Sequence, residues 1–104
     1  MTQLHLIDYN HDVRAVDAST REYESAEWVL SEIWRKALSQ GSRVYLHETQ
    51  TSPSFFGGSI SAIREVPAGD GNSRRWAVLF TADEQGRGVL AGRSGWKRES
   101  KFVP

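Results

Sequence analysis

Between residues 19 and 41, apolar side chains recur every three or four positions. Tyr23, Ala26, Val29, Leu30, Ile33, Trp34 and Ala37 fall on one face of an α-helix. Ser19-Thr20-Arg21-Glu22 opens this stretch with a spacing in which two side chains reciprocally satisfy free helix N–H groups. Gly41 follows as a left-handed stop would. The pattern predicts one long amphipathic helix at about residues 20–40, with Ile33 at the centre of its apolar stripe.

Elsewhere the pattern is that of strands. Leu4-His5-Leu6-Ile7 is a short apolar run that ends at Asp8-Tyr9-Asn10, a first strand entering a loop. Arg43 to Glu48 is β-branched and aromatic-rich, with Val44 and Leu46 on one face. Ser59 to Val66 reads as another strand, and Pro67 to Ser73 as the tip of a hairpin. Trp76-Ala77-Val78-Leu79-Phe80 is apolar on both faces, as in a central strand. Glu84 to Gly88 turns the chain into Val89-Leu90-Ala91, and Lys101-Phe102-Val103 is a candidate closing strand. One helix among five or six strands predicts an α+β domain, a small β-barrel whose closure hides the sheet edges.

A length of 104 residues fits a single domain. No apolar run approaches the roughly 18 residues of a membrane span, and no signal-peptide pattern opens the chain. The absence of cysteine excludes disulfides and thiolate metal sites, and fits a reducing, cytoplasmic setting. The net charge of zero conceals an asymmetry. Residues 1–70 carry 6 Lys/Arg against 10 Asp/Glu, whereas residues 71–104 carry 7 against 3. Such a split suits either a basic face for a polyanion or an ordinary solvated surface.

Catalytic chemistry is not legible. His47 and Glu48 are neighbours on a strand, so they point to opposite faces. His5 and His11 have no carboxylate at a ligand spacing, and no nucleophile elbow, phosphate loop or dinucleotide fingerprint occurs. No metal site, cofactor or catalytic residue is expected. Aromatic usage is more informative. Trp76, Phe80 and Tyr23 are assigned to the core. Trp28 lies opposite the helix stripe, and Trp34 lies on its flank, where a pocket can open between helix and sheet. Trp96 stands within Arg93-Ser94-Gly95-Trp96-Lys97-Arg98. There Arg93, Lys97 and Arg98 suit phosphates and the indole suits a base, although a barrel-closing Trp beside solvated charges fits equally. In Ser54-Phe55-Phe56-Gly57-Gly58-Ser59, adjacent glycines permit close approach of a ligand or another backbone, or a bulged bend.

The order of these pieces resembles the EVE-like branch of the PUA-like superfamily. The resemblance rests on a strand ending in Asn10, a helix bearing Trp34, Gly41-Ser42-Arg43-Val44-Tyr45-Leu46, and Phe56-Gly57-Gly58-Ser59-Ile60. It covers about residues 4–66. Ser42 stands where the family usually has Asp, and His11 follows Asn10 where Pro is frequent. The resemblance implies a single PUA-like domain over residues 1–104, a pseudobarrel that binds RNA or DNA and holds a modified or extruded base in an aromatic pocket. Tyr9, Asn10, Trp34, Tyr45, Phe55, Phe56, Gly57 and Gly58 would line that pocket. Arg93, Trp96, Lys97 and Arg98 would contact the nucleic acid. The strand signature of the hydrolytic ASCH branch is not found. The alternatives are a protein-interaction domain of phage or mobile-element type, with Trp and Phe as its hot spots, and a small nucleoside hydrolase.

Overall fold

A computed structural model describes residues 2–38, 40–67 and 74–104. The chain forms β1 (Gln3–Ile7), β2 (Arg14–Asp17), β3 (Glu22–Trp28), α1 (Glu32–Ala37), β4 (Arg43–His47), β5 (Phe56–Val66), β6 (Arg75–Ala82), β7 (Trp96–Lys97) and β8 (Ser100–Val103), with a short 3-10 turn at Glu84–Gly86. These strands make one open mixed sheet in the order β2-β3-β6-β5-β4-β1-β8-β7. The expected closed barrel of five or six strands is therefore corrected to an eight-stranded open sheet with free edges at β2 and β7. All pairings are antiparallel except β1 with β4, which run parallel with Leu4 opposite Val44 and Leu6 opposite Leu46. A parallel pair requires a crossover, and the chain between β1 and β4 supplies it through β2, β3 and α1.

The long helix expected at residues 20–40 is also corrected: the only α-helix among the described residues is six residues long. The first half of the apolar stripe is strand β3, antiparallel to β6, with Tyr23 opposite Phe80 and Trp28 opposite Trp76. Two features hide this in the sequence. Tyr23, Ser25 and the glutamates Glu22 and Glu24 alternate with period two, but only over four residues, so a helical period fits as well. The apparent helix start at Ser19 is the β2–β3 turn. Asp17 Oδ1 accepts from the Ser19 amide at 3.0 Å and from its hydroxyl at 2.6 Å, Thr20 Oγ1 donates to Glu22 Oε1 at 2.8 Å, and Arg21 is left-handed with φ 62°. The helix begins instead at Ser31, whose hydroxyl accepts from the Trp34 amide at 3.1 Å. Ile33, expected at the centre of a buried stripe, is 78% exposed.

The core lies on one face of the sheet. Leu4 and Leu6 of β1, Val44 and Leu46 of β4, Ile60 of β5 and Val78, Phe80 and Ala82 of β6 meet Trp28, Leu30 and Leu38, which the crossover brings down on them. Every residue of β4 is buried, so the sheet is covered on its second face here too. The cover is the segment after β6. Arg43 makes a two-pronged ion pair with Asp83 at 2.6 and 2.7 Å, and Ser54 Oγ donates to the Gly86 carbonyl at 2.7 Å. Gly57 and Gly58 permit close backbone approach here: the Gly86 carbonyl of the covering segment stands 3.2 Å from where a Gly57 Cβ would lie, and the neighbouring strands are nearer still. A Cβ on Gly58 would run into the Thr81 carbonyl, and one on Gly57 into the Val44 carbonyl. The close backbone approach expected at this glycine pair is present, within β5 rather than in a loop. The hairpin tip expected at residues 67–73 lies, from residue 68 on, outside the described residues. Val89-Leu90-Ala91 is not a strand.

Candidate functional site

A cleft of about 630 Å³ opens where the end of β3, the start of α1 and the β7–β8 hairpin come together. Its walls are Glu27, Trp28, Val29, Leu30, Ser31 and Trp34 from the crossover, Arg75 from the start of β6, and Lys97, Arg98, Glu99 and Ser100 from the hairpin. The local sequence makes this shape directly. Ser31 ends the extended segment and caps α1, so Trp34 is held one turn along, half-buried, against Phe102 of β8 with ring centroids 5.4 Å apart and planes at 18°. Phe102 occupies one face of the indole, and Lys97 Nζ stands 5.9 Å from the ring centroid. Arg98 forms the hairpin tip in the left-handed region with φ 57°.

The cleft has an apolar floor and a charged rim. Trp28 and Leu30 are buried, and the Trp28 indole N–H is satisfied by Ser25 Oγ at 2.9 Å. Glu27, Lys97, Arg98 and Glu99 are exposed. Among the described residues, the salt bridges involve none of these four, nor Arg75. The carboxylates that are paired lie elsewhere. Burial pushes the Glu24 carboxyl up, but hydrogen bonds from Arg14 and Arg64 outweigh it and hold it below the usual range. Asp83 is held low chiefly by its bond to Arg43. Cations of the cleft, unpaired among the described residues, can therefore take an anion beside the half-buried Trp34 ring.

A second cluster, which sequence reasoning did not find, lies on the opposite face of β1 and β4. Parallel pairing places His5 beside Tyr45 and Ile7 beside His47, which lets the two imidazoles meet. His5 Nδ1 and His47 Nε2 are 2.8 Å apart, and the residues are 1% and 0% exposed. Tyr45 stacks on His5 with centroids 5.0 Å apart, and Trp96 stands edge-on to both histidines. The Ser52 carbonyl accepts from His47 Nδ1 at 2.9 Å. In a neutral His47 ring Nε2 is then the acceptor, and His5 Nδ1 is its donor. His5 Nε2 lies 3.0 Å from Gln3 Oε1, and since this ring nitrogen is then an acceptor, the Gln3 side-chain amide has to turn its NH2 group toward it. Burial, the neighbouring His47 and Lys101 together lower the His5 pKa to about 4. Burial also lowers that of His47, against the opposing pull of the Ser52 carbonyl. This neutral, enclosed pair ties β1 to β4 and seats Trp96. The only signal for it in the sequence was two histidines at core-like positions of two strands.

The structure divides the expected pocket. Trp34 lines the cleft, and Lys97 and Arg98, assigned to nucleic-acid contact, line it too. Tyr9, Asn10, Tyr45, Phe55, Phe56, Gly57 and Gly58 do not. Tyr9 and Asn10 are exposed on the turn after β1, where Asp8 accepts from the Asp12 and Val13 amides. Tyr45 is buried against His5. Phe55 stacks on His11 at 3.6 Å, and His11 Nε2 is 3.3 Å from Glu48. Phe56 packs on Tyr23 and Phe80. Arg93 is exposed, whereas Trp96 is turned inward, its indole N–H bound to the Gly92 carbonyl at 2.9 Å. Among the described residues no group of three or more His, Asp or Glu side chains is placed to hold a metal ion. No helix among them is long and apolar enough to cross a membrane. No protein-family model matches the chain, and no curated protein or solved structure is significantly similar to it.

Proposed function

We propose that the protein binds single-stranded nucleic acid, with one base in the cleft beside Trp34 and adjoining phosphates on Lys97, Arg98 and Arg75. One observation carries this reading: a half-buried aromatic ring and three cations that enter no salt bridge among the described residues line the same cleft. An extruded base stacked on an aromatic ring is worth roughly 1–3 kcal/mol, and its phosphates add a salt-dependent attraction. The cleft is large enough for a nucleotide and, being open, leaves the rest of a strand in solvent.

The test is binding of a fluorescent hexanucleotide at several salt concentrations. Trp34→Ala removes roughly 1–3 kcal/mol of affinity and leaves the salt slope unchanged. Lys97→Ala with Arg98→Ala flattens the logarithmic slope by about 1–1.5, the value for two phosphates on a single strand. An unchanged affinity in both variants refutes the reading. A protein partner is the second reading, supported by Val29 of the cleft wall and Ile33 of α1, which are 62% and 78% exposed. Such a partner binds with little salt dependence and is lost on Val29→Asp.

A further inference from the structure

Cations and an aromatic ring account for phosphate and base stacking, but not for the two carboxylates in the same cleft. Glu27 and Glu99 are exposed among its walls, and neither takes part in a salt bridge among the described residues. Facing a polyanion, a free carboxylate is repulsive, so it weakens binding unless the ligand brings hydrogen-bond donors to it. A carboxylate is an acceptor only, with two oxygens side by side. Its best partner is a group presenting two adjacent N–H donors, because charge-assisted, two-pronged bonds are the strong ones.

Among the four common bases, one has that edge. Guanine presents N1–H and the N2 amino group next to each other. Adenine and cytosine each set a single amino group beside a ring acceptor, and uracil sets one N–H between two carbonyls. Resting on the nucleic-acid reading above, we infer that the cleft selects guanine. Its ring lies along Trp34, its N1–H and N2 amino group face Glu27 or Glu99, and its phosphate faces Lys97, Arg98 and Arg75. The two glutamates approach the cleft from different elements, Glu27 from the end of β3 and Glu99 from the β7–β8 turn. Whichever reads the base, the other lies nearer the ribose, whose hydroxyls are also donors.

The test uses GMP, IMP, AMP, CMP and UMP, titrated against the intact protein with tryptophan fluorescence as the readout. GMP binds about tenfold tighter than AMP, CMP or UMP, the effect of one good charge-assisted pair. IMP, which lacks only the N2 amino group, falls between GMP and the rest. Glu27→Gln or Glu99→Gln, whichever carries the contact, erases the difference between GMP and IMP. Each is an exposed side chain, and unchanged melting confirms that the fold is kept. Equal affinity for all five nucleotides overturns guanine selection while leaving base stacking in place. Guanine preference retained in both glutamine variants also overturns it. Failure of every nucleotide to bind removes the cleft reading itself, and selection with it.

Discussion

The buried histidine pair makes acid the most selective probe of this fold. In the unfolded chain His5 titrates near 6.5, whereas in the folded protein its pKa is lowered to about 4. Between those values the unfolded chain holds a proton that the folded protein lacks, so stability rises with pH through the window and is lost as pH falls. Applied to His5 alone, linkage gives a loss of about 2 kcal/mol on going from pH 7 to 4.5. His47 is shifted the same way and adds to the loss. The carboxylates do not mask this. Glu24 and Asp83 are held below their usual values, so their contribution is lost only at lower pH. Urea unfolding at pH 7, 6, 5 and 4.5 measures the slope. Replacing both histidines, His5→Gln with His47→Gln, lowers stability at pH 7, because two buried hydrogen-bonded rings are lost, but it flattens the slope. A parent protein as stable at pH 4.5 as at pH 7, or a double variant with the parent's slope, refutes the neutral buried pair.

Two further substitutions test the packing. Ile33→Asp changes stability by no more than about 0.5 kcal/mol, because the side chain stands in solvent. Phe80→Ala, at a fully buried position, costs about 3–5 kcal/mol in the same melting experiment. Gly58→Ala forces β5 away from the Thr81 carbonyl and lowers the melting temperature by roughly 10 °C or more, the scale of an overpacked core in a domain this size.

The parts of the fold that were legible were those where local pattern and tertiary role agree. β1, β4, β5, β6 and β8 were each anticipated within a few residues, because β-branched and aromatic runs end in turns there. Glu22 to Trp28 was not, because its apolar spacing satisfies a helix while β6 supplies the backbone partners that make it a strand. Long-range pairing decided the matter, and no local window contains it. The barrel failed for a related reason: closure depends on whether the first and last strands of the sheet meet, and here β2 and β7 remain its two edges. The candidate site was legible only in fragments. Trp34, Lys97 and Arg98 were each singled out, for separate reasons, but their convergence comes from the β7–β8 hairpin folding back beside α1. Asn10 and the Phe55–Gly58 segment were expected beside Trp34 and are used elsewhere, in a surface turn and in packing against His11, Tyr23 and the sheet backbone. The histidine pair was illegible because a parallel register, not a sequence spacing, creates it.

The central claim is that a base enters the cleft beside Trp34. It is tested most directly by the indole N–H resonances of the four tryptophans, assigned by single Trp→Phe variants and followed while a single-stranded hexanucleotide is added. The Trp34 resonance moves with saturation. That of Trp76, enclosed in the core with Arg35 3.8 Å from its ring centroid, stays in place. Saturable binding that leaves the Trp34 resonance unmoved contradicts the account.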